Sequence, residues 1–261
     1  MVRCRRIYSV KGRSVAVAQP SAPSLSPALH SHLPEAMSSR FKPALVLVDV
    51  QEDFCPPNGS LAVQGGRDIV PLLNELLDRP FAIKVATKDF HPPDHISFAS
   101  NHDAPNNKPF ESTITIANPL NPSETQETRL WPDHCVQGTK GAELLPELNV
   151  TKVHEIVEKG QDTRVEMYSA FADPFKSPCV SKSRLAKLLH DAEITDVFVA
   201  GLAADYCVRY TALDAAREGF KTRVIGEATR AVDPSSMDSV LKEYDEAGVT
   251  VIEKDDESLS W

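Results

Sequence analysis

The chain has 261 residues, of which 41% are hydrophobic and 25% are charged, a composition typical of a globular protein rather than of a disordered or fibrous chain. Its apolar runs stay well short of the roughly 18 residues that cross a bilayer, which excludes an integral membrane protein. The net charge is 28 − 37 = −9, and residues 1–36 carry +4 of it, so the rest carries −13. This negative charge repels the phosphate backbone of nucleic acids. We expect a small-molecule ligand, with no nucleic-acid or membrane partner; a homo-oligomer is left open.

The first 43 residues differ from the rest of the chain. They are rich in Ser, Pro and Arg without lasting periodicity, which predicts a disordered extension (1–43) before a folded domain (44–261). The Arg-rich start is typical of a mitochondrial presequence, but Met37 could equally be an alternative initiator. Five widely spaced cysteines without a CxxC pair indicate a reducing compartment. We expect the cytoplasm, or the mitochondrion if residues 1–36 are a presequence; the nucleus and the peroxisome are not excluded.

Downstream of residue 43, short apolar, β-branched runs alternate with amphipathic stretches. Buried parallel strands alternate with helices in this way. The sequence therefore predicts a single α/β domain of about six parallel strands. The predicted strands are residues 44–50, 81–87, 154–157, 196–202, 222–225 and 249–252. The predicted helices are residues 69–77, 183–192, 206–218 and 235–247.

Residues 91–132 interrupt this alternation. They show no sustained period and hold six prolines between positions 92 and 122. Connections of this length are uncommon in compact domains unless they build a functional site. We expect this segment to form a wall of the site.

Chemically active side chains directly follow several of the predicted strands. Ligands of open α/β sheets bind beyond the carboxyl ends of the strands, so Asp49, Lys159 and Cys207 are candidates for one shared site. Cys207 opens a helix, where free N–H groups and the helix dipole favour a thiolate, and a nearby acid and cation would activate it. Each residue also has an ordinary interpretation: a buried structural cysteine, a capping aspartate and a solvated surface lysine.

A second set of residues is suited to binding a metal. Asp89 and His91 are two positions apart at the end of an extended run, so their side chains point the same way. A third ligand could come from His134, although spacing alone does not choose among it, His95 and His102, and all three could be ordinary loop histidines. Two histidines and one carboxylate leave coordination positions open for water or substrate.

Five ordered motifs together carry a resemblance to a known family. They are DVQEDF at 49–54, KDFHPPDHISF at 88–98, WPDHCV at 131–136, EKG at 158–160 and ADYCV at 204–208. The set, which spans roughly residues 44–253, resembles the nicotinamidases of the isochorismatase-like cysteine hydrolases, and the long Pro-rich insertion is similar to the fungal type. The resemblance implies a six-stranded parallel sheet with helices on both faces. The extension before Met37 has no counterpart in the family pattern.

The resemblance also implies roles for the matching positions. The implied catalytic triad is Asp49, Lys159 and Cys207. One divalent metal is implied at Asp89, His91 and His134; we expect zinc, and iron and manganese also suit these ligands.

Further implied roles concern the substrate. Phe54, Trp131 and Tyr168 are implied to line a pocket and to stack on an aromatic ring. The backbone N–H groups of Ala203 and Cys207 are implied to face an oxyanion, after a cis peptide bond that precedes Ala203.

The function implied by this resemblance is that of an amidohydrolase, which converts nicotinamide to nicotinate through a thioester within NAD salvage. A related hydrolase of another small carboxamide is the first alternative. An isochorismatase proper is less compatible, since an ether-type bond does not call for a nucleophilic cysteine. A non-catalytic metal-binding interaction protein would leave the combination of Asp49, Lys159 and Cys207 unexplained.

Overall fold

The computed structural model describes residues 41–261, which contain eight strands and four α-helices. The strands are β1 (Pro43–Val48), β2 (Ile83–Asp89), β3 (Thr113–Asn118), β4 (Asn121–Arg129), β5 (Glu155–Lys159), β6 (Asp196–Leu202), β7 (Lys221–Arg230) and β8 (Thr250–Ile252). The helices are α1 (Val70–Asp78), α2 (Leu185–Asp191), α3 (Cys207–Arg217) and α4 (Met237–Ala247). Strands β3 and β4 pair in antiparallel fashion as a separate ribbon.

The other six strands form one parallel sheet in the order β5-β2-β1-β6-β7-β8. From β1 the chain adds β2 and β5 on one side, and then β6, β7 and β8 on the other. The strand order therefore reverses between β1 and β6. In open α/β sheets ligands bind in the crevice beyond the strand ends at such a reversal, so the topology locates the site before any side chain is considered.

Alternate residues of the central strands face two separate cores. Leu45 and Leu47 of β1 pack into the core beneath α1, together with Phe198 of β6. Val46 and Val199 point to the opposite core, which α2, α3 and α4 cover. Because both faces are covered by helices, these strands are apolar at nearly every position rather than at every second one.

The predicted fold class is confirmed, including the six parallel strands and the helices on both faces. The ribbon of β3 and β4 was not predicted, and it occupies part of the segment expected to lack regular structure. Strand β4 has the sequence NPSETQETR and is largely solvent-facing, so it carries none of the apolar alternation that marks a strand in the sequence.

The predicted boundary at residue 43 remains a prediction. Residues 1–40 lie outside the described part of the chain, and with them the expected disorder and any presequence; β1 begins at Pro43. Among residues 41–261, no helix combines the length and the apolar character needed to cross a membrane.

Gly201 lies where β1 and β6 approach each other next to the site. Its φ is +116°, and an added Cβ would lie 2.1 Å from the carbonyl oxygen of Val48. We expect Gly201→Ala to lower the free energy of unfolding by more than about 2 kcal/mol, because backbone strain and a clash add together. Urea unfolding measures this loss.

Gly219→Ala is the matched control, since Gly219 has φ +94° but no heavy atom within 4 Å of an added Cβ. It tests the backbone strain alone and should cost about 1 kcal/mol. Equal losses for the two variants would show that the close approach at Gly201 carries no energetic weight.

Candidate active site

Four neighbouring strand ends supply the polar side chains of the site. Asp49 follows β1, Asp89 ends β2, Lys159 ends β5, and Cys207 opens α3 directly after the four-residue loop (203–206) that leaves β6. Asp49 has a left-handed backbone with φ +49°, which turns the chain just past the strand. The residues expected from the sequence to share one edge of the sheet are thus together in the structure.

Lys159 is the centre of this group, and its side chain is fully buried. Its Nζ lies 3.0 Å from Asp49 Oδ2, 2.6 Å from Asp89 Oδ1 and 3.5 Å from Cys207 Sγ. It also donates a hydrogen bond to the carbonyl oxygen of Met167 at 3.1 Å. A single ammonium group therefore contacts both carboxylates and the thiol.

Burial and charge act on these groups in opposite directions. Burial lowers the pKa of Lys159, but Asp49 and Asp89 outweigh it and hold that pKa well above its ordinary value. Burial raises the pKa of Asp49, and Lys159 only partly offsets the effect. Burial likewise raises the pKa of the Cys207 thiol well above its ordinary value despite the nearby ammonium. The resting site therefore holds a thiol beside a carboxylate with a strengthened affinity for protons.

Asp49 is held in place by Thr87 on the neighbouring strand. The Thr87 hydroxyl donates to Asp49 Oδ1 at 2.5 Å and accepts from the Asp49 backbone N–H at 3.1 Å. The other oxygen, Oδ2, faces the Lys159 ammonium at 3.0 Å. A carboxylate oxygen of Asp49 and the Cys207 sulfur lie within 4.8 Å of each other, so Asp49 can receive the thiol proton.

Asp89, His91 and His134 form a second group with the geometry of a metal site. All three are buried, and one ligand atom from each lies within 4.8 Å of the others. His91 Nδ1 is paired with the Gly160 carbonyl at 2.7 Å and His134 Nδ1 with the Pro132 carbonyl at 2.8 Å, which leaves both Nε2 atoms for a ligand.

The unpaired atoms of this group fit a divalent cation. His91 Nε2 is buried without a hydrogen-bond partner in the described part of the chain and lies 3.6 Å from Asp89 Oδ2. Burial and the charge of His91 lower the pKa of His134 to about 4, so its ring is neutral, as metal ligation requires. Imidazole and carboxylate donors suit zinc, iron and manganese.

Hydrogen bonds to the ring nitrogens distinguish the three histidines that spacing left open. His95 is buried with its ring centroid 4.1 Å from that of His91, but Ser97 occupies its Nδ1 at 2.8 Å and the Val165 carbonyl its Nε2 at 3.1 Å. His102 Nε2 is paired with the Ile96 carbonyl at 2.7 Å. Neither histidine joins the group of metal-binding atoms, whereas His134 does.

A small aromatic cavity opens in front of Cys207. Phe54, Trp131 and Tyr168 line it as expected from the resemblance, and Tyr206 and Leu61 complete the apolar part. Tyr168 is fixed by its hydroxyl, which accepts from Trp131 Nε1 at 2.9 Å. The free volume is about 20 Å³, room for about one water molecule, so side chains must move to admit a ring.

The backbone beside Cys207 supplies free N–H groups. The Leu202–Ala203 peptide is cis, as the resemblance implies. Among the described residues, neither the Ala203 nor the Cys207 amide donates to a backbone carbonyl. Cys207 is the first residue of α3, where an amide has no partner within the helix, and both residues line the cavity.

Four residues near the site escaped the sequence analysis. Thr87 and Gln51 have only buried hydrogen-bonding roles, and Glu166 and Tyr206 line the cavity. Tyr206 is next to Cys207 in the ADYCV motif, and Gln51 lies within DVQEDF, so position in a motif was a usable signal for these two. Thr87 ends a predicted strand, and Glu166 follows no pattern in the sequence.

Comparison with known proteins agrees with this geometry. The model of the isochorismatase domain family matches residues 43–256. The chain belongs to the isochorismatase family. Within this family it is 36% identical over 221 residues to a nicotinamidase of Schizosaccharomyces pombe, a match that covers 84% of this chain and 96% of the relative.

Solved structures show the same relationship. The yeast nicotinamidase bound to the inhibitor nicotinaldehyde is 36% identical with a TM-score of 0.76, covering 81% of this chain and 99% of that one. A Pyrococcus horikoshii pyrazinamidase in complex with zinc is 31% identical with a TM-score of 0.62, covering 81% and 99%. The relatives are therefore small-amide hydrolases, and one of them holds a divalent metal.

Gln51 bonds to the backbone next to the candidate metal site. Its Nε2 donates to the carbonyls of Asp89 and Ala142 at 2.8 and 2.9 Å, and its Oε1 accepts from the Asp89 N–H at 2.8 Å.

We expect Gln51→Leu to lower the free energy of unfolding by about 3 kcal/mol, because it leaves buried backbone groups unpaired. Urea unfolding tests this against Gln137→Leu, which removes one half-buried bond to the Phe90 carbonyl and should cost about 1 kcal/mol. A smaller loss for Gln51→Leu than for the control would contradict this expectation.

Proposed function

We propose that this protein is a nicotinamidase, which hydrolyses nicotinamide to nicotinate and ammonia through a thioester on Cys207. The observation that carries the proposal is the buried Lys159 ammonium in contact with Asp49, Asp89 and the Cys207 thiol at the end of an aromatic cavity. The similarity to nicotinamidases over most of the chain supports the choice of substrate.

The first half of the reaction forms the thioester. Asp49, whose Oδ2 faces Lys159 Nζ at 3.0 Å, takes the proton of the Cys207 thiol. The sulfur then attacks the carboxamide carbon, and the N–H groups of Ala203 and Cys207 stabilise the negative charge that develops on the carbonyl oxygen. As the carbon–nitrogen bond breaks, Asp49 returns the proton to nitrogen and ammonia leaves.

The second half releases nicotinate. Water attacks the thioester carbon while Asp49 takes a proton from it, and the carbon–sulfur bond breaks. The Asp49 proton then returns to sulfur, which restores the thiol, and the nicotinic acid formed loses its remaining proton to water and leaves as nicotinate. Lys159 stays charged throughout, because two carboxylates hold its pKa well above the ordinary value, and it keeps Asp49 and Cys207 in position.

The group of Asp89, His91 and His134 would hold one divalent cation, for which we propose zinc. Bound there, the cation supplies a Lewis-acid contact for the pyridine nitrogen and so orients the ring. The chain's own aromatic side chains, Phe54 and Trp131, pack against the faces of the ring. The reaction belongs to the salvage of NAD, and we place it in the cytoplasm.

Removal of the sulfur tests the role of Cys207. We expect Cys207→Ala to bind nicotinamide but to lose at least about 10⁴-fold in kcat, since no thioester can form. Ammonia release and calorimetric binding measure the two effects. Cys179→Ala, a half-buried cysteine outside the cavity, should keep its activity. Inactivation by alkylation at Cys135 or Cys179 with Cys207 unmodified would contradict the assignment.

Asp49 and Lys159 should act as one unit, because each makes the charge of the other tolerable in a buried site. We expect Asp49→Ala and Lys159→Ala each to lower kcat by about 10²-fold or more, and the double variant to lose far less than the product. Lys88→Ala is the control, since Lys88 precedes Asp89 but pairs outward with Glu143. Multiplicative losses would mean that the two residues serve separate steps.

The orienting role of the metal site can be tested by substrate choice. Benzamide keeps the carboxamide but lacks the ring nitrogen, so it should be a poor substrate, whereas pyrazinamide keeps a matching nitrogen and should be hydrolysed. We expect His91→Ala to lower bound metal in elemental analysis and to cost nicotinamide at least about tenfold more in kcat/KM than benzamide. His102→Ala should change neither quantity. Equal proportional losses for both substrates would exclude the orienting role.

A further inference from the structure

A second cavity adjoins the aromatic one. It has a free volume of about 240 Å³, enough for several water molecules. The two cavities share two side chains, Glu166 and Tyr168. The mechanism above assigns no task to this larger cavity.

The wall between the cavities lies next to the reacting groups. Glu166 is 95% buried, and its Oε1 accepts the Met167 N–H at 2.8 Å. Its second oxygen has no hydrogen-bond partner among the described residues, and the carboxylate lines both cavities. The Met167 carbonyl, one residue further on, accepts from Lys159 Nζ. A polar, incompletely bonded side chain thus separates the triad from the larger cavity.

The thioester stage of the proposed reaction needs a second route. The aromatic cavity has almost no free volume, so a ring bound to Cys207 between Phe54, Trp131 and Tyr206 would fill it. Ammonia must nevertheless leave and water must arrive before the ring is released. Small molecules cannot pass a ring that fills the aromatic opening.

The charge of the larger cavity suits ammonium. Arg217 on its rim is paired with Asp214 at 2.7 Å, so these two charges offset each other. The other charged side chains that line the cavity are two acids, Glu127 and Glu166, and one base, Lys176. The balance favours a small cation over an anion such as nicotinate.

We propose that this cavity is the route by which ammonia leaves and water reaches the thioester while the ring remains bound. Ammonia passes the Glu166 side chain as a neutral molecule, takes a proton from the aqueous side and departs as ammonium. Water moves in the opposite direction and attacks the thioester. This inference rests on the nicotinamidase reaction proposed above.

Two substitutions fill the cavity from two different segments of the chain. Ala172→Phe does so from the side of the main domain, and Gln126→Trp from the half-exposed ribbon strand β4. Thr113→Phe is the matched control, because Thr113 lines a neighbouring cleft of about 300 Å³ and not the larger cavity itself, although the two share side chains such as Thr128 and Tyr168. Circular dichroism and thermal unfolding show whether each variant is folded; if Ala172→Phe is not, Gln126→Trp decides.

The experiment uses the full chain loaded with its metal and follows the Cys207 thioester by rapid quench with labelled nicotinamide. Hydroxylamine is added as a competing nucleophile, and the ratio of hydroxamate to nicotinate is measured. In both filled variants we expect thioester decay to slow at least about fivefold at a nearly unchanged kcat/KM. The hydroxamate fraction should fall, since hydroxylamine is larger than water. Thr113→Phe should raise KM and leave decay unchanged.

Unchanged decay and partition in the folded, filled variants would overturn the route, as would equal slowing by Thr113→Phe. Failure of the proposed function looks different: the unmodified protein would then form neither thioester nor nicotinate.

Discussion

The buried ammonium of Lys159 is the interaction on which the rest of the site depends. A lone charge at a fully buried position would cost several kcal/mol, and two carboxylates so close together could not both ionise without a cation between them. Asp49 and Asp89 contact Lys159 at 3.0 and 2.6 Å, so each of the three charges makes the others tolerable. Asp89 also faces His91 with its second oxygen. The candidate triad and the candidate metal site are therefore one electrostatic unit rather than two neighbouring sites.

The sheet topology brings this unit together. The chain reverses its strand order between β1 and β6, and the four central strand ends supply Asp49, Asp89, Lys159 and the turn to Cys207. Gly201 permits β1 and β6 to approach closely at that end, since Val48 leaves no space for a Cβ. Residues separated by more than 150 positions in the chain thus meet, although each lies within a few positions of the end of its strand.

Many of the site residues could be predicted from the sequence, because the ends of apolar strands can be recognised in it. An apolar run followed by Asp49 or Lys159 places the side chain at the carboxyl edge of a parallel sheet. The choice between His95 and His134 could not be made, since both are buried and only the partners of their ring nitrogens distinguish them. Strand β4 was missed because its polar sequence has no apolar period. Thr87 was missed because a threonine near the end of a strand carries no sequence signal for a role in the site.

Burial also affects the protonation of the Cys207 thiol. A helix N-terminus and a nearby ammonium favour a thiolate, but desolvation outweighs both and keeps the pKa of Cys207 high. The same desolvation raises the pKa of Asp49, so the base gains proton affinity in the environment that makes the thiol reluctant to lose its proton. In the proposed reaction, proton transfer from Cys207 to Asp49 moves one negative charge between two atoms that lie within 4.8 Å of each other. In the proposed reaction, the site therefore holds Cys207 as a thiol at rest, next to a carboxylate with raised proton affinity that can take its proton.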